Sequence, residues 1–439
     1  MNVGVISLGC AKNQVDTEEM LSFLKKDGFQ FVHDANEAQV LVVNTCGFIA
    51  SAKVESLDAI YEMAAYKKTG ICWVLCVTGC LAQRYEQELL KMIPEIDVLI
   101  GVSQYPQLGG FIQDALAGRR AVNTQRGADF SGCGRVLTTP PYTAYIRIAE
   151  GCDNCCAYCA IPLIRGGFRS RPMDQILEEM RTLAAGGARE QILIAQDTSR
   201  YGSDLQGETL AGLLEKAARI PGVDWLRVLY CYPDEISREL IDTMAKHENI
   251  CRYLDLPLQH AVPRILKKMN RRGDIREIEA LLLYARQSGF ALRTTMIVGF
   301  PGETEEDFGA LMDFCARVRF DHLGAFAYSP EEDTKAYRMR GKVPEEEKDR
   351  RLDMLMAMQR KISLRRNRER VGQVLQVLIT GHKGKAAIGR SRWEAPDSDG
   401  VILVKSSRFL REGEMVYARV LKAHAYDLEV EWVDTGTAP

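Results

Sequence analysis

The residues with the most chemical content are cysteines, 13 of them in 439 residues. Three stand in one short loop, Gly151-Cys152-Asp153-Asn154-Cys155-Cys156-Ala157-Tyr158-Cys159, where Cys152, Cys156 and Cys159 have the spacing C-x-x-x-C-x-x-C. A cubane iron–sulfur cluster ordinarily takes four thiolates. A loop that offers three leaves one iron with an open position, and an open metal position is where a catalytic site binds a small molecule. Zinc sites also use cysteine pairs, so the spacing needs structural context to be decisive. Cys155 adds a fourth thiol to the loop, as a spare or as a competing ligand. Three further cysteines recur in a pattern: Cys10 in Leu8-Gly9-Cys10, Cys46 in Asn44-Thr45-Cys46 and Cys80 in Thr78-Gly79-Cys80, 36 and 34 residues apart.

Elements able to position these groups are legible in the hydrophobic pattern. Apolar runs at 3–8, 40–43, 73–77 and 98–100 read as strands, with helical patterns at 54–65 and 85–92 between them. Continuous apolar strands separated by helices imply a parallel sheet covered on both faces. Cys10, Cys46 and Cys80 each stand just past one of these strands, and ligands of open α/β sheets bind outside the carboxyl ends of the strands. The three thiols are therefore expected to converge. Pro140-Pro141 ends a polar linker at 127–141. Six strand–helix repeats follow, with strands at 144–149, 191–195, 226–230, 253–258, 293–299 and 323–328. Six such units predict a partial barrel whose functional face is the carboxyl ends of its strands. Thr304, with Asp307 three residues on and Phe308 next, is a helix-start signature. A helix from Pro344 to about residue 370 has acids first and arginines last, as its dipole favours. Short β runs at 374–379, 401–404, 415–420 and 428–432 predict a small all-β barrel. The fold class is thus α/β, with four segments: 1–135, 142–330, the connecting helical 331–372, and 373–439.

Bulk composition narrows the partners. The formal net charge is −2 and 46% of residues are hydrophobic, which predicts no bulk attraction to nucleic acid or membranes. No apolar run approaches a membrane span of about 18 residues. The chain opens directly into a strand pattern without a basic leader, so a cytoplasmic location is expected, and clustered cysteines there read as metal or redox sites.

With the loop placed after the first strand of a six-fold βα domain, the chain resembles the radical S-adenosylmethionine (SAM) superfamily. Ser7-Leu8-Gly9-Cys10-Ala11-Lys12-Asn13, Asn44-Thr45-Cys46-Gly47-Phe48-Ile49 and Thr78-Gly79-Cys80-Leu81-Ala82-Gln83-Arg84-Tyr85 are similar to the motifs of its methylthiotransferase branch. The C-terminal segment is similar to a TRAM domain. The resemblance implies two [4Fe–4S] clusters, one on Cys152, Cys156 and Cys159 and one on Cys10, Cys46 and Cys80, with SAM bound near Tyr158, Gly299 and Gly302. It implies hydrogen abstraction from an unactivated carbon by a SAM-derived radical, followed by transfer of a methylthio group, with electrons from a reducing donor. Ser-Leu-Gly-Cys-x-Lys-Asn and Gly389-Arg390-Ser391-Arg392-Trp393-Glu394-Ala395-Pro396-Asp397 resemble the enzymes that modify an aspartate of ribosomal protein S-twelve, on the small ribosomal subunit. The transfer-RNA adenosine enzymes, the alternative, more often read Gly-Cys-Gln-Met-Asn. Ala11 departs from the proline common in the ribosomal type.

Charge in the C-terminal segment bears on the same choice. Residues 373–439 hold nine basic and nine acidic side chains. A domain gripping RNA phosphates should be basic, and the acids Asp397, Asp399, Glu429 and Glu431 are expected to suit a basic protein partner. Cys72 and Cys76 read as core. Cys133, Cys231, Cys251 and Cys315 show no ligand spacing, and His260 is a weak candidate for lining the pocket.

Overall fold

The computed structural model describes residues 1–127, 134–384 and 386–434; Cys133 and part of the linker lie outside them. Six strands form the N-terminal sheet: β1 (Asn2–Ser7), β2 (Gln30–Phe31), β3 (Val40–Thr45), β4 (Val74–Gly79), β5 (Val98–Ile100) and β6 (Ala121–Asn123). They are parallel throughout, in the order β2-β1-β3-β4-β5-β6. Helix Ala50–Thr69 covers one face through Ile60 and Met63, and helices Ala11–Lys26 and Leu108–Leu116 cover the other through Met20, Leu24 and Ile112. The edge strands β2 and β6 have only two and three residues, too short to carry a periodic signal.

The barrel strands are β7 (Thr143–Arg147), β10 (Glu190–Ile194), β11 (Trp225–Val228), β12 (Tyr253–Asp255), β13 (Ala291–Val298) and β14 (His322–Ala327), with a small ribbon of β8 (Ala149–Glu150) and β9 (Arg169–Ser170) beside β7. All six pair in parallel as two three-stranded sheets, β7-β10-β11 and β12-β13-β14, linked where Leu226 meets Ile250. This is the expected six-fold partial barrel. The apolar run at 253–258 is not one strand. Pro257 has no N–H to give a ladder, and the chain bends so that Gln259, at φ 70°, re-pairs with Met296. The run at 226–230 likewise stops at Val228, and Tyr230 turns at φ 64°. The capping box of Thr304 and Asp307 forms at the start of helix Glu305–Val318.

Helix Glu345–Arg368 packs on the barrel and leads into a closed five-stranded barrel. Its strands are β15 (Val374–Lys383), β16 (Ala386–Ser391), β17 (Ile402–Lys405), β18 (Met415–Ala423) and β19 (Leu428–Val433), in the order β15-β16-β17-β19-β18. Four apolar runs are visible in the sequence. The fifth strand, β16, reads Ala-Ala-Ile-Gly-Arg-Ser and is too small and polar to announce itself.

The small barrel docks on the amino ends of the large barrel's strands. Glu190, the first residue of β10, is fully buried between Arg390 and Arg227, accepting from Arg390 Nη1 at 2.7 Å and Arg227 Nε at 3.0 Å. Tyr253 Oη donates to Asp399 Oδ2 at 2.6 Å, and Trp225 Nε1 donates to Gln376 Oε1 at 3.2 Å. The expectation that the acids of this domain face a basic partner is thereby corrected for Asp399 and Glu429, while Asp397 and Glu431 are exposed. The Asp399 carboxylate is 2% exposed and closes the barrel floor, while Glu429 is held by Lys405, Lys422 and His424 of its own domain.

Candidate iron–sulfur and SAM site

Strand register explains how three distant cysteines meet. β1, β3 and β4 are adjacent, with Ser7 opposite Asn44 and Thr45 opposite Gly79, so their carboxyl ends are level. The crevice between β1 and β3 is where the strand order reverses, the position at which doubly wound sheets bind ligands. Close approach of these ends is enforced by glycine. A Cβ on Gly79, at φ 95°, would lie 2.4 Å from Thr45 O, and one on Gly9, at φ 96°, would lie 3.1 Å from Cys46 Sγ. The side chain of Asn13, fully buried, ties the three ends together. Its Nδ2 donates to Leu8 O at 3.0 Å and to Thr45 O at 2.9 Å, and its Oδ1 lies 3.6 Å from Cys80 Sγ.

The second triad is held by the barrel. Its loop is strapped to the segment after β12: Ala157 N donates to Met269 O, and Asn270 Nδ2 donates to Cys155 O at 2.9 Å. Asn154 donates to Asp197 at 2.7 Å and accepts from Arg272 at 2.9 Å. Arg271 Nη1 lies 3.7 Å from Cys156 Sγ and donates to Tyr158 Oη at 3.2 Å, with its guanidinium over the Tyr232 ring. Ile161 N donates to Cys159 Sγ at 3.4 Å.

The two sets face each other. Cys10, Cys46, Cys80, Cys152, Cys156 and Cys159 all line one cavity of about 330 Å³, together with Lys12, Asn13, Tyr158, Arg165, Gln196, Tyr230 and Arg271. The carboxyl ends of the N-terminal sheet and of the barrel thus open onto the same space. A buried ionic clasp holds them there. Arg165 Nη2 bonds Asp16 at 2.7 Å and Asn13 Oδ1 at 2.8 Å, and its Nη1 lies 3.2 Å from Glu150, while Arg147 bridges Asp16 and Glu150.

The donor set suits iron–sulfur clusters. Burial pushes the Cys152 thiol up to about 11 and Cys80 and Cys159 up to about 12, and such thiols become thiolates when a metal coordinates them. Burial also raises Cys46. Desolvation would raise Cys10, but the charges of Lys12 and Arg165 and hydrogen bonds from the Asn13 and Lys12 backbone together outweigh it and lower the thiol. Among the described residues no three side chains converge on a point that would hold one metal ion; a cubane spreads three thiolates over three irons and asks for a wider set. Gln196 Oε1 is a buried acceptor without a partner in this cavity, suited to an amino group such as that of SAM.

Not every residue singled out in the sequence is at the cavity. Tyr158 is. Gly299 and Gly302 are not among its lining residues; the space beside them is filled by Lys348 and Lys268. Glu303 caps this turn, accepting from Gly299 N at 2.9 Å. His260 is buried beside Glu303, at 3.5 Å, and does not line the cavity. Cys155 is exposed, sits at φ 49° and points away from the lining. Cys72 and Cys76 are buried in the sheet's two cores, and Cys231 lines the cavity. Lys12 and Asn13 fall inside a motif quoted above, yet nothing local marks them as cavity residues. Arg165, Gln196, Tyr230 and Arg271 have no sequence signal at all.

Three family descriptions match in succession: Uncharacterized protein family UPF0004 at residues 2–101, Radical SAM superfamily at 146–315 and TRAM domain at 371–433. The ribosomal protein uS12 methylthiotransferase RimO of Pelotomaculum thermopropionicum is 48% identical, covering 99% of each chain. The chain belongs to the RimO family of radical SAM methylthiotransferases. RimO proteins of Desulforamulus reducens and Desulfitobacterium hafniense are 46% and 45% identical, with 97% and 98% of this chain and 98% of each relative covered. Among solved structures, the radical SAM methyltransferase TsrM of Kitasatospora setae superposes with a TM-score of 0.57 at 18% identity, covering 74% of this chain and 72% of that one. The cobalamin-dependent SAM radical enzyme OxsB gives 0.55 at 12% identity, over 81% and 56%. These two likenesses concern the fold. The fourth thiol of the loop, Cys155, lies off the cavity, and Ala11 begins the helix that carries Asn13 and Asp16.

Proposed function

We propose that this chain adds a methylthio group to the β-carbon of an aspartate in ribosomal protein uS12, with Cys152, Cys156 and Cys159 holding one [4Fe–4S] cluster and Cys10, Cys46 and Cys80 the other. The observation that carries this reading is that both cysteine triads line one cavity. When bound, the first cluster with SAM supplies a deoxyadenosyl radical that can take hydrogen from an inert C–H bond, and the second supplies sulfur within reach of the carbon left behind.

The chain's own residues position and isolate this chemistry. Arg271 and the Tyr232 hydroxyl, 3.8 Å from Cys156 Sγ, place polar hydrogens at that sulfur, and hydrogen bonds to ligand sulfurs tune a cluster. Arg165 does the same near Cys80, at 3.8 Å. Tyr145, Ile192, Ile194, Trp225 and Tyr253 fill the barrel below the cavity, and the small barrel closes the floor, so water cannot enter from beneath. Excluding water protects a reactive intermediate from side reactions. Among the described residues no helix is long and apolar enough to cross a membrane, and we place the reaction in the cytoplasm, beside the small ribosomal subunit and a reducing electron donor.

The test is anaerobic reconstitution, reduction and addition of SAM with either uS12 or unmodified transfer RNA, followed by mass spectrometry of both. A methylthio gain on the aspartate, abolished by Cys10→Ala or Cys152→Ala, is the expected result. A gain on the RNA alone would refute the ribosomal assignment.

A further inference from the structure

The cavity contains a buried lysine that no carboxylate of the described residues pairs with, the Cys10 thiol being the charged group that acts on it most. Lys12 is 8% exposed and lines the space shared by both triads. Its Nζ rests 3.9 Å above the centre of the Tyr230 ring. No carboxylate of the described residues lies within ion-pairing distance of it. Of the other cations at this site, Arg165 is paired with Asp16 and Glu150, while Arg271 has no carboxylate partner either but directs its N–H groups at Tyr158 Oη and at the Pro257 carbonyl at 2.6 Å. The platform beneath Lys12 is rigid. Tyr230 is a non-glycine residue in the left-handed region, and its backbone N–H is tied to Asp255 Oδ2 at 2.9 Å. Strained backbone of this kind persists where the surrounding structure over-determines it, commonly at ligand clamps. Phe48, Ile161 and Pro257 supply apolar lining, and an ammonium without a carboxylate partner in such surroundings favours an arriving carboxylate.

We propose that Lys12 is the receptor for the substrate's side-chain carboxylate and sets the enzyme's preference for an acidic over a neutral side chain. This rests on the uS12 reading above and deepens it. The carboxylate carbon of an aspartate is bonded directly to the β-carbon. An ion pair at the carboxylate therefore fixes the group to which the reacting carbon is directly bonded, in the cavity both triads share. The Tyr230 ring limits the ammonium to one side, so the carboxylate is met from the cavity side. A lysine serving only to balance charge at Cys10 would be indifferent to whether the substrate carries aspartate or asparagine.

The experiment compares a uS12 peptide bearing the target aspartate with the same peptide bearing asparagine, on the reconstituted wild-type enzyme and on Lys12→Met and Lys12→Arg. Peptide affinity, iron content and methylthio product are measured for each. Wild type should bind the aspartate peptide about 30-fold or more tighter than the asparagine peptide, since removing one member of a desolvated charge pair has effects of this size. Lys12→Met should bring that ratio within about threefold, and Lys12→Arg should keep most of it. Equal binding of the two peptides by wild type overturns the inference without reference to any variant. So does a ratio unchanged in Lys12→Met. Wild type that discriminates the peptides in binding but modifies neither would instead overturn the uS12 reading.

Discussion

Replacing Asn13 with Ala should release the N-terminal triad while leaving the barrel triad intact. The side chain is fully buried and makes hydrogen bonds of 2.8 to 3.0 Å to Leu8 O, Thr45 O and Arg165 Nη2. Truncation leaves two carbonyls and one guanidinium N–H without a partner, at about 1–3 kcal/mol for each group that water cannot reach. Partial access by water through the cavity lowers the sum, so about 2–5 kcal/mol is expected. That is roughly 30- to 5,000-fold in the local opening equilibrium of the loops carrying Cys10, Cys46 and Cys80. The assay is the rate of iron loss to a chelator, in a background where Cys152, Cys156 and Cys159 are Ala so that only the N-terminal cluster is read. Iron loss should accelerate by about 30-fold or more, because chelator access follows opening. In the background with the barrel triad restored, the slow phase belonging to that cluster should be unchanged. A change of less than about threefold would show that the strand ends converge without Asn13, and the reasoning from its hydrogen bonds would be refuted.

Three other outcomes are expected. Cys155→Ala should keep the full iron content and Cys156→Ala should lose half of it, since only Cys156 lines the cavity; the reverse result would reassign the middle ligand. Glu190→Gln leaves Arg227 and Arg390 buried without a carboxylate, which should loosen the small barrel by about 3–5 kcal/mol, read as faster hydrogen exchange in β16. Because Arg390 and Arg227 overcome burial and hold the Glu190 carboxyl below its ordinary range, this stabilisation is complete above the unfolded carboxyl pKa. It fades as pH falls through the lower folded value, so the gap between wild type and variant should narrow in acid; a gap that widens there would contradict it. In cluster-free protein, iodoacetamide should alkylate Cys10 at lower pH than Cys80, because Lys12 and Arg165 lower the first while burial pushes the second up to about 12. Peptide mapping that finds Cys80 labelled first would count against these charge assignments.

Local signals in the chain were sufficient for the chemistry and the architecture. Cys152, Cys156 and Cys159 are close enough in sequence that their spacing, together with the strand–helix repeats around it, marks a candidate ligand set. Cys10, Cys46 and Cys80 become a second candidate because each follows an apolar strand, and parallel strands end at a common edge. Period-two and period-3.6 patterns carried the six barrel repeats, whereas β2, β6 and β16 were too short or too polar to register. What tertiary structure alone decided is what the two edges do to each other. That both triads open on one cavity depends on Arg165 and Arg147 meeting Asp16 across a domain boundary more than 130 residues wide in sequence. Gln196 and Tyr230 join the site because their strands end there, and Arg271 because the turn after helix Pro263–Lys268 folds back onto the cysteine loop. Asp399 looked free for a partner because composition counts charges without direction, and the fold turns it inward onto Tyr253. Lys12 sits two residues from Cys10 in plain view, but its lack of a carboxylate partner is a property of the space around it, which exists only once both domains are in place.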